Sequence, residues 1–322
     1  MYLNNEIEIS VVIPCYNSEK SLLELNKRLV QALEGLSVNF EIIYINDCSK
    51  DNTYEVLKEI SENCHYVQFI DLMFNVGQFR ALICGFEHAN GNYIITMDDD
   101  LQHPPEEIPK LYYFLKENPD FDAVFGKPEK KKHSFYRRLG SLFIKKINEK
   151  IFNKPQNLSM SAFRCLNKKL VSTIIQNKTI IPVLGPLILN STHRIANIQV
   201  QCEERKYKKS NYSLIKLIKI TLDNIINFSS LPLKIIGLTG ITISLLSFIL
   251  TIYYFIEYCF GKITVPGWTS LVIFINFYSG LILFSIGVIG EYLIRILKEV
   301  KLEPRYVIRE IYKNKEPVEN HE

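Results

Sequence analysis

The sequence lacks paired cysteines. Its seven are scattered, with no C-x-x-C pair and no His/Cys spacing suited to a structural zinc. Cys15, Cys48, Cys64, Cys84 and Cys165 fall in a segment that reads as mixed α/β, and are expected as core thiols of a reducing compartment. The N-terminus, MYLNNEIEIS, has no apolar run of the signal-peptide kind, so the first segment is expected to begin and stay in the cytosol. Neither a G-x-G-x-x-G nor a Walker motif is present, which disfavours a dinucleotide-binding domain and a P-loop ATPase. A strong charge of one sign is missing too. The net charge of +4 over 322 residues is mild, and no nucleic-acid partner is expected. The length suits a full catalytic domain plus an appendage.

What is present centres on NYIITMDDDLQHPP, residues 92–105. Tyr93 to Met97 has the length and β-branched content of a buried strand. It ends in Asp98, Asp99 and Asp100, and Pro104 and Pro105 follow, placed to open a helix. Carboxylates at the carboxyl end of a buried strand lie where open α/β sheets place ligands. Three such anions repel one another unless a hard divalent cation, Mg²⁺ or Mn²⁺, neutralises them. A turn that only caps the next helix needs one carboxylate, not three.

The flanking chain alternates strands and helices. Apolar strands are expected at 9–14, 40–46, 67–72 and 123–126, with helices from Ser18 to about Leu36, to about Asn63, to about Ala89, and over 106–116. A further strand is expected over 195–203. This β-α-β-α order implies a largely parallel sheet with right-handed crossovers. The turns Tyr16-Asn17, Asp47 and 98–102 should then gather along one edge. KPEKKK at 127–132 with Arg137 and Arg138 is a basic patch, either a solvated charge run or a holder of phosphates or anionic lipid.

Residues 235–256 and 268–290 carry no charge. Each is long enough for a hydrocarbon core of about 30 Å. Lys and Arg cluster before the first span and after the second, and the short link between them has only Lys262. The positive-inside rule puts both flanks in the cytoplasm. Residues 212–231 alternate basic and apolar positions at helical spacing, as in an interfacial helix. The expected organisation is a catalytic domain over 1–210, a juxtamembrane region over 211–232, a two-helix hairpin over 233–294 and a cytosolic tail over 295–322. Gly280, Ser285, Gly287 and Gly290 would permit close helix packing, within the hairpin or in a homo-oligomer.

These segments resemble family 2 glycosyltransferases of the GT-A fold, in the polyprenyl-phosphate (dolichol-phosphate-like) group, over about residues 7 to 311. SVVIPCYN resembles the family's opening strand and nucleotide loop, and INDCSKDNT its D-D-G-S-x-D-x-T turn. NVGQFRAL followed by GFEHANGNYIITMDDDLQHPPE is the most specific match. GVIGEYLIRILKEVK is similar to the second span of two-span bactoprenol glucosyltransferases. The resemblance implies a mostly parallel GT-A sheet with helices on both faces, then interfacial helices and a transmembrane hairpin in a bacterial cytoplasmic membrane, with both termini cytoplasmic. It implies an inverting transfer of a sugar from a nucleotide sugar to a polyprenyl phosphate. UDP is favoured over GDP, and transfer to a hydroxyl acceptor or a non-catalytic scaffold are the alternatives. Pro14, Tyr16 and Asp47 would contact the nucleoside. Asp98 and Asp100 would meet the donor diphosphate and Mg²⁺ or Mn²⁺, supported by Gln102, and Arg205 would approach the diphosphate. Ser210 and Tyr212 would lie near the acceptor phosphate.

The chain departs from the family pattern at several places. Asn46 stands for the first acid of the D-D-G-S turn and Cys48 for its glycine. Gly126-Lys127-Pro128 lacks the arginine of G-x-R, for which Lys127, Arg137 or Arg138 are candidates. Ser161-Ala162-Phe163-Arg164 lacks the acid that many relatives carry there. A phosphate acceptor, with a second pKa of about 6, is already largely ionised near neutral pH and needs that base less than a hydroxyl would. Asp99 is a candidate for an acid elsewhere.

Overall fold

A computed structural model describes residues 6–128, 158–177, 183–203, 267–300 and 304–313, with isolated positions and short stretches between 155 and 260. The chain divides into two compact units, Met1–Asn211 with Glu303–Glu322, and Tyr212–Leu302.

The first unit is built on one eight-stranded sheet, ordered β7-β5-β6-β4-β1-β2-β3-β8. Its centre is four parallel strands: β1 (Ile9–Cys15), β2 (Phe40–Asn46), β3 (Val67–Leu72) and β4 (Tyr93–Thr96). All residues of β1, β2 and β3 are buried, as expected of strands covered on both faces. Period-two alternation divides them between two cores. Ile9, Val11, Ile13 and Cys15 face α1 (Leu22–Glu34), α2 (Thr53–Asn63) and α4 (Ile108–Glu117), while Val12 and Ile43 face α3 (Gln78–His88), α5 (Lys168–Gln176) and α6 (Leu184–Ser191). In α1, Leu22, Leu25, Leu29 and Leu33 recur at helical spacing and are fully buried. Each contributes about 1.5–3 kcal/mol relative to an exposed position. Cys15, Cys84 and Cys165 are buried, whereas Cys48 and Cys64 are half-buried.

The outer strands differ from the simple alternating reading. β5 (Ala123–Pro128) does not pair with β4. Between them runs β6 (Arg164–Asn167), antiparallel to both. The mixed stretch before residue 166 hid this strand, which has only four residues. β7 (Ile195–Val200) pairs parallel with β5, and β8 (Ile308–Lys313) closes the other edge antiparallel to β3. The tail beyond the hydrophobic segments thus supplies a strand of the first unit's sheet. Its Tyr312 ring stacks on Phe69 at 4.9 Å, and its Ile308 joins the α3-side core. The prolines open a short 3-10 turn, Pro105–Glu107, that leads into α4.

Two glycines admit the backbone at close quarters. A Cβ on Gly85 of α3 would fall 2.3 Å from Val12 Cγ1, and one on Gly91 would fall 2.6 Å from the Ser10 nitrogen. Gly91 therefore serves close approach to β1; the helix end itself is at Ala89.

The second unit contains α7 (Trp268–Val300), which is 33 residues long. Among the described residues no helix is long and apolar enough to cross a membrane. The α7 sequence nevertheless has no charged residue from Trp268 to Gly290, and Leu271, Phe274, Ile282 and Leu283 are exposed. The described positions of 235–256 are all helical, while 211–232 lies outside the described residues.

Substituting Gly85→Ala should overpack the α3–sheet contact and cost about 1–3 kcal/mol. Gly35 is the control: its Cβ would meet only ordinary contacts from 3.6 Å outward, so Gly35→Ala should be neutral or stabilising by up to about 1 kcal/mol. Thermal unfolding of the two variants checks the difference.

Candidate active site

The parallel order β4-β1-β2-β3 places four loops side by side at the carboxyl edge of the sheet. Hydrogen bonds join them in a closed circuit. From the β4 loop, Asp99 accepts from the Tyr16 N–H at 3.3 Å and from the Ser18 hydroxyl. From the β1 loop, the Ser18 N–H donates to Thr53 Oγ1 at 2.8 Å and the Asn17 N–H to Ser49 Oγ at 3.0 Å. The Lys50 N–H returns a bond to Asn17 Oδ1 at 2.8 Å. From the β2 loop, Asp47 accepts from the N–H groups of Val76 and Gly77 at 2.6 and 2.9 Å. Gln78, the first residue of α3, closes the circuit by donating to Asp98 Oδ1 at 2.6 Å.

Backbone conformation follows from this arrangement. Asn17, Cys48 and Leu101 have φ near +50° to +60° (52°, 53° and 59°), one in each of the loops after β1, β2 and β4. A left-handed residue other than glycine costs roughly 1–2 kcal/mol. Such strain persists only where surrounding contacts over-determine it, and it collects at functional sites. Cys48 occupies the position where the family pattern has glycine, and the chain keeps the glycine-like φ there. Gly77, at φ +86°, turns its amide toward Asp47.

The three acids have separate surroundings. Asp99 is buried and committed to the β1 loop, which also explains why Ser18 does not cap α1: its hydroxyl is used, and the helix begins at Leu22. Asp100 is buried, accepts from the Gln102 N–H at 3.1 Å, and lines a cavity of about 180 Å³ with Asn17, Ser18, Lys20 and Asp51. Asp98 has its carboxyl pushed up to about 6, first by burial and then by Asp100 and Asp99, against the pull of Arg164 and the Gln78 bond. Two neighbouring carboxylates that repel each other, only Asp98 of which is paired with a buried cation here, fit a divalent ion, with diphosphate and water oxygens completing its shell. Among the described residues no group of three or more His, Cys, Asp or Glu could hold a metal unaided. That agrees with Asp99 facing away.

Arg164 is the cation that the sequence reading left without a role. It is 4 % exposed, lies over the Phe125 ring, and donates from Nε to Thr96 Oγ1 at 2.9 Å. Burial lowers it to about 10, with Asp98 opposing, so it stays charged at neutral pH. Only the antiparallel β4–β6 register, which sets Arg164 opposite Thr96, brings it here. His103 stacks on Phe163 at 5.2 Å, and its Nδ1 is buried without a partner among the described residues. Burial lowers its imidazole below the usual range.

The remaining candidates stand as follows. Tyr16 is 39 % exposed at the rim. Pro14 is buried within β1, in register with Ile45, and Asp47 accepts from the Val76–Gly77 turn. The Gln102 carbonyl accepts from the Glu203 N–H at 2.8 Å, and Arg28 clamps both Glu106 and Glu203 at 2.7 and 2.9 Å. These bonds fasten the chain just ahead of Arg205. Arg137, Arg138, Arg205, Ser210 and Tyr212 lie outside the described residues.

Comparison with known proteins supplies the family. Residues 10–173 match Glycosyl transferase family 2. The chain is 32 % identical over 326 aligned residues to the undecaprenyl-phosphate 4-deoxy-4-formamido-L-arabinose transferase of Proteus mirabilis (strain HI4320), covering 98 % of this chain and 97 % of that one. Its fold is similar to glucosyl-3-phosphoglycerate synthase from Mycobacterium tuberculosis. In the complex of that enzyme with phosphoglyceric acid the TM-score is 0.51 at 16 % identity, over 69 % of this chain and 79 % of that one. In its complex with Mn²⁺, uridine diphosphate and glucosyl-3-phosphoglycerate the TM-score is also 0.51 at 16 % identity, over 68 % and 78 %. By its matched domain and its relative aligned along nearly the whole length, the chain belongs to glycosyltransferase family 2 and resembles that family's polyprenyl-phosphate sugar transferases.

Proposed function

We propose that this chain is a membrane-anchored, inverting glycosyltransferase that moves a sugar from a nucleotide sugar, a UDP-sugar by preference, to a polyprenyl phosphate. The observation that carries the reading is the Asp98–Asp100 pair at the carboxyl edge of a family 2 sheet, with Asp99 turned aside to hold the neighbouring loop. The name of the 32 % identical relative supports the acceptor. The Mn²⁺ and uridine diphosphate in the M. tuberculosis enzyme's complex are properties of that protein, and they suggest the cofactor and base to test here.

In this reading Asp98 and Asp100 hold Mg²⁺ or Mn²⁺, which would neutralise the charge that develops on the departing diphosphate. Gln78 fixes the Asp98 carboxylate, and Arg164 lies behind it as a buried countercharge. Asp99 and the β1 loop keep the Tyr16 rim in place for the donor's nucleoside. An acceptor phosphate oxygen attacks the anomeric carbon from the face opposite the leaving group. The bond from that carbon to the donor phosphate breaks, and the nucleoside diphosphate leaves. The acceptor is already ionised, so the step needs positioning more than proton removal. Arg205, Ser210, Tyr212, Arg137 and Arg138 remain the candidates for holding the phosphates.

Connectivity restricts the form that an anchor could take. Because β8 pairs with β3, residues 308–313 lie on the same side of any membrane as the sheet formed by the strands from β1 to β7. A chain that leaves a sheet and returns to it crosses a bilayer an even number of times. On sequence grounds the uncharged stretch 268–290 of α7, with its exposed Leu271, Phe274, Ile282 and Leu283, is assigned as one crossing of that proposal. Residues 235–256 are the natural second.

Purified protein in detergent, given Mn²⁺, undecaprenyl phosphate and a panel of nucleotide sugars, should label the lipid phosphate. Labelling of a hydroxyl acceptor instead would sink the reading. Asp100→Asn should lower turnover about a hundredfold or more while expression and membrane insertion persist. In a melting assay, Mn²⁺ should stabilise the wild type but not Asp98→Asn or Asp100→Asn. Without metal, burial that raises Asp98 to about 6 makes the fold lose stability as pH rises from about 4 to 6. The Mn²⁺ effect should therefore grow over the same interval and level off above it.

A further inference from the structure

The strand that follows the hydrophobic segment reaches into the nucleotide edge. In the β3–β8 ladder Asp71 pairs with Glu310 and Leu72 with Ile308, so Arg309 is the extra residue of a bulge. Bulges re-aim side chains and are frequent beside active sites. Here the guanidinium donates to Asp71 Oδ2 at 2.8 Å and to the Met73 carbonyl at 3.5 Å. The Asp71 side chain is 1 % exposed. Its other oxygen accepts from Asn46 Nδ2 at 2.6 Å, and Asn46 Oδ1 in turn accepts from the Ser49 N–H at 3.2 Å. Ser49 is the residue that receives the Asn17 N–H across the cleft. The relay thus runs from the tail strand, through a buried carboxylate and one amide side chain, into the turn that joins the β1 and β2 loops.

We propose that Arg309 is a positioning residue of the donor site: acting through Asp71 and Asn46, it holds the 46–49 turn in the form that receives the nucleoside of a nucleotide sugar. The donor half of this inference rests on the proposed function; the relay itself does not. Removing the guanidinium leaves Asp71 with Asn46 as its remaining side-chain hydrogen-bond donor among the described residues, beside the like charge of Glu310 on the same edge. The Asn46 amide is then no longer held between two fixed partners, and the Ser49 amide loses its anchor.

The test uses the full chain in detergent. In Arg309→Ala, amide hydrogen exchange over residues 46–53 of the ligand-free protein should speed up about tenfold or more, the loss expected for one hydrogen bond to a charged group. Exchange in α1 and α5 should stay unchanged. The donor KM should rise about tenfold with kcat within about threefold and the acceptor KM unmoved, the pattern of lost binding rather than lost chemistry. Arg309→Lys should recover part of both effects. Asn46→Ala breaks the relay downstream and leaves the Arg309–Asp71 pair intact, so it should reproduce them even if Arg309→Ala fails to fold. Unchanged exchange over 46–53 in these variants overturns the inference. So does an unchanged donor KM when the wild type is active. A wild type that labels no lipid phosphate with any donor overturns the proposed function and the donor half with it, and is told apart from the other results by the exchange measurement.

Discussion

Three consecutive carboxylates at the end of one buried strand are a constraint that everything around them must meet. Each needs a partner, and the fold supplies a different one to each. Asp99 is satisfied by the amide and hydroxyl of the β1 loop. Asp100 accepts from its own turn, and Asp98 from Gln78, with Arg164 buried behind it. Removing any one of these partners would leave a desolvated charge, which costs far more than the hydrogen bond itself. The loops after β1, β2, β3 and β4 are therefore held less by their own propensities than by the need to serve these acids and Asp47. That need accounts for the left-handed Asn17, Cys48 and Leu101.

The departures from the family pattern make physical sense on the same terms. A carboxylate at position 46 would stand against the buried Asp71 at hydrogen-bond distance. Asn46 instead donates to Asp71 and accepts from Ser49. Cys48 retains the backbone that glycine would adopt more cheaply, with a weak contact from its thiol to the Met73 carbonyl at 3.7 Å. At residue 162, where many relatives carry an acid, the main-chain carbonyl takes the Thr96 hydroxyl and so helps seat Arg164.

The parallel core was legible in the sequence because buried parallel strands are near-continuous apolar runs, and β1 to β4 read as such within a residue or two. The acid cluster was legible because three aspartates at a strand end have few bland explanations. What escaped were elements whose identity is set by partners distant in sequence. β6 is four residues long and becomes a strand only by insertion between β4 and β5. β8 alternates exposed and half-buried residues, and its place depends on Phe69 and Asp71, more than 230 positions earlier. Arg164 and Arg309 gain meaning only through those two registers. Asp47 was read as a nucleoside contact from its position at a strand end; its bonds from the Val76 and Gly77 amides depend on a loop about 30 residues further on and were not legible.

β8 also changes how the hydrophobic unit relates to the catalytic one. The chain leaves the sheet after Val200 and re-enters it at Ile308, so the segment between is an insertion with two attachments rather than a trailing anchor. Each attachment is fastened: the outgoing chain by Glu203 to Gln102 and Arg28, the returning chain by Arg309 to Asp71 and by Tyr312 to Phe69. Both fastenings also end on residues that support the acid cluster or the β2 turn. Within the first unit, the surroundings of Asp100 and of the Asn46–Ser49 turn therefore rest on contacts from segments far apart in sequence.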